Sequence, residues 1–206
     1  MTSDFFQTIV TVAKDCNIPI VLIGGLALPA YNVARSTLDI DMCINVETQV
    51  VLNRFINALK EKNIKTLLKP KINHNLFTVF GQNNEAEIWL KPCDAFSWDL
   101  KMVERIHQFF GDILVLSIED YLLTKIARAD RSSIDIDDIL QILLANKDKL
   151  DWEYLNYRLN WIDLKEEFIE LLKNISLDYD EDNLRIEVKE ILDEFEKVNG
   201  KLKKQL

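Results

Sequence analysis

The sequence has few cysteines and histidines and no long apolar run, the features typical of disulfide-bonded, zinc-binding and membrane-spanning proteins. Three cysteines occur among its 206 residues, Cys16, Cys43 and Cys93, without C-x-x-C spacing, so neither a disulfide framework nor a structural zinc site is expected. The two histidines, His74 and His107, lack the H-x-E or H-x-x-x-H spacing of a zinc enzyme. No run of 18 apolar residues and no signal-peptide pattern occurs, which predicts a cytoplasmic protein that does not cross a membrane.

Positive charge and the common phosphate-binding motifs are also scarce. The chain has 25 Lys and Arg against 34 Asp and Glu, a net charge of -9, which argues against a general nucleic-acid coat protein. Neither G-x-x-x-x-G-K-[ST] nor G-x-G-x-x-G occurs, so P-loop and Rossmann sites are not predicted. With 48% hydrophobic and 29% charged residues, the composition is otherwise that of an ordinary globular chain.

The first part of the chain alternates helical and strand-like patterns. Apolar residues recur at helical spacing before Pro19 and after Thr48, with short apolar or alternating runs between and after them. The predicted strands are 20–23, 38–46, 65–68, 76–80 and 85–90, and the predicted helices are 5–13, 26–34 and 48–62. This order predicts an α/β (α+β) fold in which helices flank a mixed sheet.

From Ser117 onward the strand patterns stop. Helical spacing continues in the segments 122–126, 134–144, 152–159, 164–172 and 182–198, which predicts a helical bundle. The first 116 residues carry a net charge of -1 and the rest carry -8. The sequence therefore predicts two domains, residues 1–115 and residues 116–206, with the acidity in the second.

The chemically informative stretch lies between Ile20 and Val46. A strand runs into Gly24-Gly25 and a helix is predicted directly afterwards, so backbone N–H groups at the turn face a point where an anion is favoured. A Gly-Gly turn between a strand and a helix is more often a device for tight packing. The turn alone therefore does not identify a phosphate site.

Two acids in the next predicted strand add a possible cation site. Alternation along the strand places Asp39 and Asp41 on one face. Two neighbouring carboxylates repel each other unless a cation lies between them, and Mg²⁺ prefers such oxygen ligands. The alternative is a solvent-facing strand with two unrelated acids, since edge strands show the same alternation.

Together these features resemble a known signature. Ile23-Gly24-Gly25, followed after thirteen residues by Asp39-Ile40-Asp41-Met42, resembles the hG[GS]…Dh[DE]h pattern of the DNA polymerase β-like nucleotidyltransferase superfamily. The stretch 24–44 is similar to minimal nucleotidyltransferases and to the nucleotidyltransferase toxins of abortive-infection toxin–antitoxin systems, where Arg-x-Thr precedes the paired acids as Arg35-Ser36-Thr37 does here. The strong similarity is confined to this stretch.

The resemblance implies a nucleoside triphosphate (NTP) site and a Mg²⁺ site. The residues implied to bind the NTP in this part of the chain are Gly24, Gly25, Arg35 and Thr37. The residues implied to be catalytic and to bind metal are Asp39, Asp41 and a third carboxylate on a later strand. Two cations held by three acids stabilise both the attacking and the leaving oxygen of an in-line displacement.

Glu87 is the candidate for the third carboxylate, although members of the superfamily usually carry aspartate there. Glu87 lies within a predicted apolar strand, whereas its rival Asp94 follows Pro92, which a central strand excludes. Asp94 is instead predicted to cap a helix start.

Two basic residues after the predicted sheet also match the toxin relatives, in which a lysine on a helix contacts the nucleotide phosphates. Lys125 and Arg128 are three residues apart and share a helix face, so both are candidate nucleotide contacts, with solvated helix charge as the alternative. The acids Asp135, Asp137 and Asp138 are predicted to start a helix.

The predicted function is therefore a Mg²⁺-dependent nucleotidyltransferase that moves an NMP group from an NTP to an acceptor hydroxyl and releases pyrophosphate. The acceptor is open among a protein, a small molecule and a tRNA end, and the resemblance implies a possible toxin–antitoxin partner protein. The alternative is a non-catalytic nucleotide-binding or interaction protein that keeps the fold, an interpretation favoured by Glu87 in place of aspartate.

Overall fold

The computed structural model describes residues 4–178 and 182–202, with eight α-helices, seven strands and one 3₁₀-helix in that part of the chain. The helices are α1 (Asp4–Asp15), α2 (Gln49–Glu61), α3 (Leu100–Glu104), α4 (Ile118–Ile126), α5 (Ser133–Asn146), α6 (Trp152–Trp161), α7 (Lys165–Asp178) and α8 (Asp182–Leu202). The strands are β1 (Ile20–Leu22), β2 (Asp41–Ile44), β3 (Lys65–Thr66), β4 (Leu76–Gly81), β5 (Asn84–Trp89), β6 (His107–Phe110) and β7 (Ile113–Val115). The 3₁₀-helix spans Gly25–Tyr31, directly after β1.

The seven strands form one mixed sheet in the order β3-β4-β5-β2-β1-β7-β6. The central strand β2 is antiparallel to β1 and parallel to β5, while β1 is parallel to β7. This arrangement confirms the predicted α/β fold with a mixed sheet flanked by helices.

Burial alternates along β4 and β5, as period-2 side-chain placement requires. Phe77, Val79 and Ile88 are buried, whereas the intervening Thr78 and Glu87 are only half-buried. One face of this part of the sheet therefore belongs to the core, and the opposite face carries the polar residues of β5.

The described residues divide into two compact units. The first comprises the residues up to Ala30 and Ala34–Ser117, and the second comprises Tyr31–Val33 and the residues from Ile118 onward. In the described part of the chain no strand follows Val115, so the second unit is helical there. No helix among the described residues has the length and apolar character needed to cross a membrane.

Three local predictions differ from the structure. The predicted α-helix 26–34 is a short 3₁₀-helix, because Pro29 lies inside it and lacks the N–H that an α-helix needs. The predicted strand 38–46 begins only at Asp41, and Leu38, the first residue of the predicted range, is 96% exposed. The sequence patterns also did not predict the hairpin of β6 and β7 or the short helix α3.

Candidate nucleotide-binding and metal site

The first component of the site is the turn after β1. Gly24 has φ +61°, a left-handed conformation that L residues rarely adopt. A Cβ atom at Gly24 would also overlap the Asp41 carboxylate, lying 2.8 Å from both Cβ and Cγ of Asp41. Glycine is therefore required twice here, for its conformation and because the Asp41 side chain lies directly against its Cα.

The second glycine accommodates the Arg-x-Thr segment. A Cβ atom at Gly25 would overlap Nη2 of Arg35 and would lie 2.9 Å from Cγ2 of Thr37. The backbone N–H of Asp39 in turn donates to Oγ1 of Thr37 at 3.2 Å. Both glycines of the motif thus contact residues that the sequence placed in one site.

The paired acids occupy different environments. Asp41 is the first residue of β2 and is half-buried, whereas Asp39 is exposed in the extended segment before the strand. Backbone hydrogen bonds anchor Asp41, because its carbonyl accepts from Ile23 N–H at 3.0 Å. The Asp41 backbone is therefore held beside β1 with its side chain against Gly24, and Asp39 is exposed to solvent.

Glu87 lies directly beside Asp41. The two residues are register partners on the parallel strands β2 and β5, so their side chains leave the same face from backbones about 4.8 Å apart. Thr78 is the partner of Glu87 on the other side, in β4. Nε1 of Trp89 donates a hydrogen bond to Oε2 of Glu87 at 3.2 Å. The sequence patterns did not predict this bond, although the two-residue spacing of Trp89 from Glu87 places both side chains on one face.

Asp94, the rival third acid, lies in a turn beyond β5. Its Oδ1 accepts a hydrogen bond from Asn75 at 2.6 Å, and its side chain is 70% exposed. The prediction that Asp94 caps a helix start is wrong, because the turn closes through a bridge between Cys93 and Phe96, and Asp99 caps α3 instead. Glu87, unlike Asp94, is the register partner of Asp41.

The carboxylates of the described residues do not form a closed metal site. Among residues 4–178 and 182–202, no three His, Cys, Asp or Glu side chains lie near enough to hold one metal ion as they stand. The donor set nevertheless suits Mg²⁺, since it consists of carboxylate oxygens on a half-buried face. Asp41 and Glu87 are the pair best placed to share a cation, and Asp39 is the next carboxylate along the chain.

Lys125 and Arg128 belong to the second unit. Nζ of Lys125 lies 3.0 Å from Oδ1 of Asp135 and 2.8 Å from Oδ2 of Asp138, and the lysine side chain is only 8% exposed. Arg128 is 49% exposed and lies 3.3 Å from the same Asp135 oxygen. The predicted alternative of solvated helix charge does not describe Lys125, and contact of either cation with a nucleotide stays a prediction.

Asp135 confirms the prediction that these acids start a helix. It forms a capping box with Ser132 at the beginning of α5. Burial by itself raises the pKa of Asp135, but hydrogen bonds from Ser132 and Lys125 outweigh it, so the pKa lies below its usual value. Asp135 is thus a charged partner of Lys125 as well as a helix cap.

Comparisons with known proteins agree with the fold. A family model described as a nucleotidyltransferase of unknown function (DUF6036) matches residues 3–196. No curated protein matches the chain significantly. One similar structure is the solution structure of the antibiotic-resistance factor ANT(2″)-Ia, at 13% identity and TM-score 0.53 over 81% of this chain and 93% of that one.

Two further structures show the same likeness. JHP933 from Helicobacter pylori is 15% identical with TM-score 0.52, over 98% of this chain and 94% of its own. The crystal structure of ANT(2″)-Ia in complex with adenylyl-2″-tobramycin is 13% identical with TM-score 0.50, over 78% and 95%. At such identities the structures establish similarity of fold. The family model covers nearly the whole chain, and the protein therefore belongs to this DUF6036 family of nucleotidyltransferases.

Proposed function

We propose that the protein is a Mg²⁺-dependent nucleotidyltransferase that transfers an NMP group from an NTP to an acceptor hydroxyl with release of pyrophosphate. The observation that supports this most is the register of Asp41 with Glu87 on adjacent parallel strands, next to the glycine turn. Two acids on one half-buried face have no evident value for stability, since like charges at this spacing repel. They are useful if a cation and a polyphosphate bind there.

The residues proposed to bind Mg²⁺ are Asp41, Glu87 and Asp39. When bound, Mg²⁺ neutralises charge on the phosphate oxygens and orients them. Asp41, whose side chain lies against Gly24, would supply one ligand, and the exposed Asp39 would supply another if it turned toward the same point. Glu87, as the neighbour of Asp41, is also the candidate base that accepts the proton of the acceptor hydroxyl.

The proposed NTP contacts begin with the glycine turn after β1. Gly24 and Gly25 are assigned to the phosphates through their backbone N–H groups, although a short 3₁₀-helix provides less dipole than the predicted α-helix. Arg35 and Thr37 lie against Gly25 and are assigned to the same phosphates. Arg128, half exposed, is assigned as a further contact, and Lys125 joins it if a phosphate displaces one of its aspartates.

The acceptor remains open among a protein, a small molecule and a tRNA end. A small-molecule acceptor has a parallel in the fold relative whose crystal structure is in complex with adenylyl-2″-tobramycin. The net charge of -9 disfavours a large RNA footprint. Three free, buried cysteines suit a reducing cytoplasm, and a toxin–antitoxin role would add a partner protein.

The test is transfer of label from each α-³²P-labelled NTP, with Mg²⁺, to components of a cell lysate. We expect the wild type to label an acceptor and Asp41→Asn to lose both transfer and Mg²⁺-dependent NTP binding while still folding. Asp112→Asn is the matched control, because it removes the same charge from an exposed ion pair with Lys14 at 2.7 Å. Saturable NTP binding without transfer in the wild type would instead support the non-catalytic alternative, and equal binding by Asp41→Asn would place the metal elsewhere.

A further inference from the structure

A tryptophan lies next to the proposed third metal ligand and shares a hydrogen bond with it. Nε1 of Trp89 donates to Oε2 of Glu87 at 3.2 Å, and both side chains are half-buried. The residues are two apart in β5, so they leave the sheet on the same face. The bond therefore runs along the open face, between neighbouring side chains, and does not serve to satisfy a buried core group.

The backbone pairing places Trp89 and Glu87 in adjacent rows of the sheet. Trp89 is the register partner of Cys43 in β2 and of Leu76 in β4, and Cys43 is completely buried. Glu87 has Asp41 and Thr78 as partners in the adjacent row. The indole of one row thus donates to the carboxylate of the next row, which also contains Asp41.

We propose that Trp89 is a positioning residue that holds the Glu87 carboxylate toward Asp41 for binding of the metal, an inference that rests on the proposed function. Glutamate has one more rotatable bond than aspartate, so ordering it costs more side-chain entropy. A donor on one carboxylate oxygen restricts these rotations before the cation binds and leaves the other oxygen available to a cation that Asp41 would share. Partners of this kind around metal ligands commonly change metal affinity by about 10- to 100-fold.

The test measures the Mg²⁺ midpoint of ATP binding, from the rise in melting temperature during a Mg²⁺ titration at fixed ATP. We expect Trp89→Phe to raise the midpoint about tenfold while leaving the weak binding of ATP without metal unchanged. Trp98→Phe is the matched control, because Trp98 also donates from Nε1, but to the Ile44 carbonyl at 3.0 Å. Both variants should melt at lower temperature, and only the first should change the midpoint.

A double-mutant cycle separates positioning from packing. Glu87→Asp shortens the acid by one methylene and takes it away from the indole, so Trp89→Phe should have no further effect on the midpoint in that background. Trp89→His, which keeps an N–H donor, should recover part of the affinity and covers the case in which Trp89→Phe does not fold. Additive effects, or equal midpoints for Trp89→Phe and Trp98→Phe, would overturn the proposal. Absence of Mg²⁺-dependent binding in the wild type would instead overturn the proposed function, and with it this inference.

Discussion

Replacing Gly24 with alanine tests whether the glycine turn and the first metal ligand form one structural unit. The native φ of +61° is left-handed, and the new Cβ would overlap the carboxylate of Asp41. Gly111 offers a matched control, because its φ is +56° and nothing lies within 4 Å of its Cβ position. The two substitutions share the backbone strain and differ in the side chain that is displaced.

The expected magnitudes follow from these two terms. Left-handed backbone costs an L residue about 1–2 kcal/mol, which is the whole loss expected for Gly111→Ala. Gly24→Ala must in addition turn Asp41 away from its present rotamer, at a further cost of about 0.5–1.5 kcal/mol. Each kcal/mol corresponds to about 2–4 °C in melting temperature for a chain of this size.

Urea unfolding, followed by intrinsic fluorescence, measures both losses, and the Mg²⁺ titration with ATP measures the site. We expect Gly24→Ala to lose more stability than Gly111→Ala and to abolish Mg²⁺-dependent ATP binding, which Gly111→Ala should retain. Equal losses of stability, together with normal ATP binding by Gly24→Ala, would show that the contact between the turn and Asp41 has no role in the site.

Three further predictions concern buried charge and buried thiols. Lys125→Met should lower the free energy of unfolding in urea by about 3–5 kcal/mol, because two buried aspartates lose their basic partner. Arg128 is half exposed, so Arg128→Met should lower it by at most about 1 kcal/mol. Similar losses for the two variants would contradict the buried network. Because the pKa of Asp135 is lowered in the folded chain, its stabilisation is complete above the unfolded pKa, about 4, and is lost as the pH falls through the folded value. The stability difference between wild type and Asp135→Asn should therefore shrink in acid, and a constant difference would contradict this sign. Burial raises the pKa of the Cys43 and Cys93 thiols, so a thiol reagent at pH 8 should modify them more than about tenfold faster in urea than in the native protein; rapid native labelling would show that they are accessible.

The elements with clear periodicity were predictable from the sequence. The apolar residues after Thr48 recur every 3.6 residues and predicted α2. In the structure Thr48 is the N-cap of this helix. The hairpin of β6 and β7 was not predictable, because all four residues of β6 are exposed and no alternation marks them. The start of β2 was also predicted too early. Leu38 fits the apolar alternation of a strand, but the N–H of Asp39 donates to the side chain of Thr37 instead of pairing with a strand.

The candidate site was predictable where it depends on neighbours in sequence. The period of two residues placed Glu87 on a strand face, and the parallel pairing that sets it beside Asp41 required the fold. The environment of Lys125 was not predictable, because its partners Asp135 and Asp138 come from the next helix. A helical pattern identifies which face a lysine shares with its neighbours, but it does not reveal which acids will pack against that face.

The segment Tyr31–Val33 has a consequence for how the chain can be divided. Tyr31 is completely buried, stacks on Tyr121 with ring centroids 4.4 Å apart, and its carbonyl accepts from Asn146 at 2.7 Å. The helical unit is thus discontinuous, and it takes three residues from the middle of the sequence that links Gly25 to Arg35. A fragment cut after Ser117 would carry the entire glycine and aspartate motif, yet it would leave this tyrosine without its partners. The shortest fragment that keeps Tyr31 with its partners therefore includes the helical unit. Truncations and gene fusions should keep both units.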